Sequence, residues 1–221
     1  MNARRILLLA ILAIIVVAAA FVGNLVWTSL TSGPTGSYPG EIRVYDGQEL
    51  GSINDFQLEA INDIQYINVS TYQLVVTGLV QNQTVYTYDD IINNHTSYEK
   101  VVTLVCVTGW AVTALWQGVR VKDLLEEAGY EQNAQVVIFY AQDGYTTSLP
   151  LSYIVDDNIM IAYKVNNVTL PATEGFPFQL AAEGKYGYKW IKWLTKIEVS
   201  NDTSFRGYWE SNGYDNNADL P

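Results

Sequence analysis

The sequence predicts an α+β domain, mostly β in mixed sheets with short helices, preceded by one transmembrane helix. Three observations predict it. Short β-branched runs bounded by turn residues outnumber amphipathic stretches, and the helical stretches interrupt them irregularly. One apolar run of membrane length stands at the N-terminus. The 221 residues allow one domain of ordinary size plus a short appendage, and a hydrophobic content of 49% is enough for a core. No repeat period is apparent.

The elements follow in order. Residues 1–5 form a cytoplasmic tip carrying Arg4 and Arg5. Residues 6–27 give an apolar run of about 22 residues, enough to cross a hydrocarbon core at the rise of an α-helix. The paired arginines before it, with no Lys or Arg after it until Arg43, place the N-terminus inside and the domain on the extracytoplasmic side. Ala18, Ala19 and Ala20 also fit a cleaved secretory signal, and cleavage would leave the domain outside too. Residues 28–40 are small, polar and rich in Gly and Pro, as a linker is. The domain occupies residues 41–221. Within it, residues 72–80, 101–107, 136–140, 159–165 and 197–199 read as strands. Residues 121–128 read as an amphipathic helix closed by Gly129, and Asp143-Gly144 as a turn.

Composition excludes several functions. With 23 Asp and Glu against 12 Lys and Arg, the chain repels nucleic-acid phosphates. A single cysteine, Cys106, permits no intramolecular disulfide, four-cysteine zinc site or thiolate-bound iron–sulfur cluster. A single histidine, His95, permits no bis-His haem, and its polar loop reads as surface. Any redox chemistry therefore needs a separate electron-transfer partner.

Two features remain. Lys185, Lys189, Lys192 and Lys196 recur at a spacing that aligns them on one face of a helix, interleaved with Trp190 and Trp193. Such a stripe is either a solvated basic face or, with Gly184 and Gly187 at its entry, a seat for an anionic ligand. Cys106 lies near the end of the apolar run 101–107, just before Thr108-Gly109-Trp110. It is either a small buried hydrophobe or a thiolate ligand for a soft or high-valent metal.

Six segments occur in order: TLVCVTGW, ALWQGVRVKDLLEEAG, AQDGYTTSLPL, IMIAYKVNN, LPATEGFPFQLAAEGKYGYKWIKWLTKIE and GYWESNGY. Together they resemble the molybdopterin-binding oxidoreductase domain of sulfite oxidase and of the methionine-sulfoxide reductase catalytic subunit, over residues 72–219. The resemblance implies a molybdenum–molybdopterin cofactor with Cys106 as its metal ligand. It implies pterin and phosphate contacts in KYGYKWIKW, from Lys185, Gly187, Lys189, Trp190, Ile191 and Lys192. Ala141 and Asp143 would border the pocket, with Tyr145 a catalytic candidate near substrate. Departures from the family pattern are Gln179 in place of an arginine, Glu174 in place of Asn or His, and Ala141 in place of Ser or Thr. Losing the arginine removes a permanently charged anion clamp.

The function implied is a membrane-anchored extracytoplasmic enzyme that transfers an oxygen atom to or from a small substrate and exchanges electrons with a separate partner. The alternative is a non-catalytic anchored module of the same fold that binds an anion or a partner protein.

Overall fold

A computed structural model describes residues 38–221; the predicted anchor and most of the predicted linker lie outside the described residues. Among the described residues, no helix is long and apolar enough to cross a membrane.

The chain opens with a small hairpin of β1 (Val44–Tyr45) and β2 (Gln48–Glu49). An irregular stretch leads to β3 (Leu74–Gly78) and β4 (Thr84–Tyr86), then to helix α1 (Tyr88–Asn94). Strands β5 (Tyr98–Val105) and β6 (Ala111–Arg120) form a long hairpin that runs into α2 (Val121–Ala128). A second hairpin, β7 (Val136–Ala141) and β8 (Thr146–Pro150), precedes α3 (Leu151–Asp156). Then come β9 (Met160–Val165), β10 (Val168–Thr169), β11 (Gln179–Ala181), β12 (Leu194–Ser200) and the short α4 (Tyr208–Ser211).

Two five-stranded sheets result. The first runs β10-β9-β6-β5, with β11 also on β9; the second runs β4-β3-β12-β7-β8. Every pairing is antiparallel except β12 with β3, which makes the second sheet mixed. That is the α+β, mostly β class the sequence predicts.

Local physics accounts for the elements. In β3, Leu74 and Val76 are buried while Val75 and Thr77 are half-exposed, the period-2 pattern of a sheet with one core face. Helix α2 buries Val121, Leu124, Leu125 and Ala128, one stripe at 3.6-residue spacing, and Gly129 closes it in the left-handed conformation. Helix α1 begins at a capping box: Thr87 Oγ1 accepts from the Asp90 N–H at 3.1 Å, and Asp90 Oδ2 accepts from the Thr87 N–H at 2.9 Å.

The helix predicted from the lysine spacing is absent. The segment instead makes a single 3-10 turn, Gly187–Lys189, and then enters β12. Trp193 takes a positive φ of 53°, which no α-helix accommodates. Backbone bonds from both sheets hold it there: the Leu180 N–H donates to Ile191 O at 2.9 Å, and the Gln142 N–H to Trp193 O at 2.9 Å. Tertiary pairing overrides the helical period.

Glycine is required at 118, where β6 shifts register against β9. A Cβ there would lie 2.0 Å from the Ile161 carbonyl oxygen, a backbone atom that cannot swing away. Gly118→Ala should therefore cost about 3 kcal/mol through overpacking. Urea unfolding measures this, and an unchanged midpoint would contradict the close approach.

Candidate active site

The cysteine does not lie within a strand. Strand β5 ends at Val105, and Cys106 opens the hairpin turn, its N–H donating to Trp110 O at 2.9 Å. Backbone bonding thus fixes the residue while its side chain leaves the sheet. The thiol, 9% exposed by residue, sits on the wall of a cavity of about 220 Å³. Thr108 Oγ1 lies 3.1 Å from Cys106 Sγ and 3.3 Å from Glu59 Oε1, and the Glu59 carboxylate is 4.0 Å from the sulfur.

Both sheets contribute to the cavity. From the first come Cys106, Trp110 and, on β11, Gln179; the approach to β12 brings Gly187, Trp190 and Lys192. Tyr145 precedes β8, and Trp209 belongs to α4. Gly187 packs against the end of β5, where a Cβ would come 3.4 Å from Val105 O and 3.6 Å from Cys106 Cα. A parallel bridge between Val105 and Tyr186 sets that contact.

Three polar atoms on the cavity's lining residues are buried without a partner: Gln179 Oε1, Gln179 Nε2 and Trp110 Nε1. Each orphan costs about 1–3 kcal/mol.

The lysines scatter. Lys189 is wholly buried and paired with the equally buried Glu210; its Nζ also donates to Ser148 O at 3.0 Å. Burial pulls the Lys189 pKa down, and the Glu210 carboxylate opposes that shift. Lys185 pairs with Asp219 and lies 4.6 Å from the Tyr153 ring centre. Lys196 covers the Tyr140 ring and pairs with Glu198 at 3.0 Å. Lys192 alone of the four lines the cavity, 3.5 Å from Glu174 Oε2 and 2.7 Å from Thr173 O.

Of the residues singled out from sequence, Cys106, Tyr145, Gln179, Gly187, Trp190 and Lys192 come together around the cavity. Lys185, Lys189, Ile191, Ala141 and Asp143 do not line it. Ile191 is buried behind it, and Ala141 accepts its place through an N–H bond to Tyr145 O at 2.9 Å. Asp143 turns the chain, its Oδ1 accepting from the Tyr145 N–H at 2.9 Å. The Tyr145 hydroxyl donates to Tyr188 O at 2.6 Å, and burial raises its pKa, so it clamps the 187–189 turn.

Sequence reasoning passed over Glu59, Trp110, Tyr188, Trp209 and Tyr214 as cavity residues. The aromatic density of GYWESNGY was a usable signal for the last two. Glu59 had none, because it lies in an irregular stretch brought to the site by tertiary bonds such as Asn62 Nδ2 to Asp143 O at 2.8 Å.

The family model described as the oxidoreductase molybdopterin binding domain matches residues 61–209. The chain is 35% identical over 150 residues to YuiH, an uncharacterized oxidoreductase of Bacillus subtilis (strain 168), across 67% of this chain and 75% of that one. It is 28% identical over 177 residues to human mitochondrial sulfite oxidase, across 67% of this chain but only 32% of the relative. Among solved structures, the sulfane dehydrogenase SoxCD from Paracoccus pantotrophus shares the fold, with a TM-score of 0.60 at 21% identity, covering 63% of this chain and 40% of that one.

The two buried ion pairs give separate predictions. Lys189→Met strands the Glu210 carboxylate and should cost about 3–5 kcal/mol, while Lys189→Met combined with Glu210→Leu should recover part of that loss. Urea midpoints of both variants decide it; a double variant no better than the single one would argue against charge burial as the cause. Burial raises the Glu174 pKa, with Lys192 opposing. Because the folded value lies above the unfolded one, the native state binds the proton more tightly, and stability falls as pH rises between the two. Lys192→Met removes the opposing charge and widens that window. Its stability deficit should be larger at about pH 8 than at about pH 5, and a deficit independent of pH would refute the coupling.

Proposed function

Since the chain belongs to the molybdopterin-binding oxidoreductase family, we propose that it is a membrane-anchored, extracytoplasmic enzyme that holds molybdenum through Cys106 and moves an oxygen atom to or from a small substrate. One observation carries this function: the only thiol of the chain faces a cavity whose lining residues hold buried polar atoms without partners.

The residues fit such a cofactor. A thiolate is the soft donor that a high-valent metal takes, and the carboxamide of Gln179 offers a donor and an acceptor to a pterin edge. Gly187 leaves room beside Cys106, while Trp190 and Lys192 complete that wall. When bound, the molybdenum–pterin group supplies two-electron oxygen-atom transfer. The chain's residues hold and orient. Thr108 fixes the sulfur through its hydroxyl, and Tyr145 holds the 187–189 turn in place. Lys185, Lys189 and Ile191 act on the cofactor through the segment they anchor, and Ala141 and Asp143 through the turn that carries Tyr145.

One cysteine and one histidine give this chain no means of building an iron–sulfur cluster or a bis-His haem. Electrons therefore pass to or from a separate carrier. The apolar run 6–27 behind Arg4 and Arg5 supports an anchor with the domain outside.

Protein made in a cofactor-competent host should contain molybdenum equimolar with the chain, and Cys106→Ser should lose it while keeping a cooperative unfolding transition. Metal-free wild-type protein would overturn the assignment and favour a non-catalytic module of the same fold.

A further inference from the structure

Resting on the function proposed above, we infer that the cavity selects a substrate with a cationic, alkylated-ammonium head group, and that small oxyanions are excluded from it. The charges on its wall are those of Glu59, Glu174 and Lys192. The ammonium of Lys192 is already engaged by the Glu174 carboxylate and the Thr173 carbonyl. Among the described residues no arginine lines the cavity, and the position where the family carries one is the neutral Gln179. An entering oxyanion would therefore meet no free cation. It would meet Glu59, whose carboxylate stands beside the Cys106 sulfur, hydrogen-bonded by the Thr108 hydroxyl and, among the described residues, paired with no basic group.

The rest of the wall favours a cation. Tyr188, Trp209 and Tyr214 line the cavity and form one continuous aromatic surface, with ring centres 5.3 Å apart for Tyr188–Tyr214 and 5.2 Å for Trp209–Tyr214. The faces of such rings attract cations, and alkylated ammonium groups above all, because methyl groups bring apolar surface along with the charge. Aromatic rings and a carboxylate lining one cavity are the chemistry that recognises this head group. Glu59 is thus assigned as the specificity-determining residue, with Trp209 and Tyr214 as the aromatic contact.

The test uses protein from a cofactor-competent host, with molybdenum measured on the same sample. Tryptophan fluorescence is followed during titration with tetramethylammonium chloride and, separately, with sodium sulfate at matched ionic strength. Saturable binding of tetramethylammonium, at least about tenfold tighter than sulfate, is expected. Glu59→Gln should weaken it by about tenfold, and Glu59→Asp should restore most of the loss. Should Glu59→Gln not fold, Trp209→Leu takes its place and must weaken tetramethylammonium binding in turn. Absence of saturable binding, a preference for sulfate, or variants that bind as wild type does would overturn the inference. A sample lacking molybdenum that still binds tetramethylammonium removes the enzyme function and leaves the cation site standing. A molybdenum-loaded sample that prefers sulfate does the reverse.

Discussion

A lysine with no exposed surface cannot stay charged without an anion against it, and the pair of Lys189 with Glu210 is the constraint on which the site depends. Lys189 sits in the 3-10 turn, Glu210 in α4, and the pair is completed from β8, where Ser148 O accepts from Nζ and Thr147 Oγ1 donates to Glu210 Oε1 at 2.7 Å. Desolvating both ions costs several kcal/mol apiece, and only close geometry with further hydrogen bonds offsets it. The return is positional: three segments distant in sequence are locked to one another, and the 187–189 turn, α4 and the turn before β8 each bring a residue to the cavity.

From that lock the rest follows. Fixing the 187–189 turn sets Gly187 against the end of β5, where the sheet releases the chain at Cys106. Fixing α4 brings Trp209 to the cavity, next to Tyr208 and Tyr214. The thiol is thereby held by backbone pairing on one side and faces a cavity on the other.

How much of this was legible in the sequence depended on whether local forces decided the outcome. Helix α2 was, because its stripe from Val121 to Ala128 and its glycine cap are properties of eight neighbouring residues. Strands β3, β7 and β12 of the second sheet were visible in their β-branched runs, with ends off by one to several residues because ladders stop where a partner stops, whereas β4 and β8 were not read as strands. Strand β6 gave little sign of itself: it is buried on both faces through Ala114, Leu115 and Trp116, so its period of two is lost. At the site, Cys106 was legible because it is unique and precedes a turn. Glu59 was not, since nothing within ten residues of it predicts the long-range bonds that bring it to the sulfur.

The lysine cluster shows why sequence proximity of charge is a poor guide to an anion site on an acidic protein. With acids outnumbering bases by 23 to 12, every basic side chain has carboxylates competing for it. A cation gains from the nearest carboxylate, and Lys185, Lys189, Lys192 and Lys196 each find one: Asp219, Glu210, Glu174 and Glu198. Four charges that look like a patch in one dimension become four separate struts in three. The cavity, which Lys192 alone of the four lines, is left among the described residues without an unengaged cation. Its character is therefore set by what was not consumed in pairing, which is a carboxylate beside a thiol, a neutral carboxamide and the faces of aromatic rings.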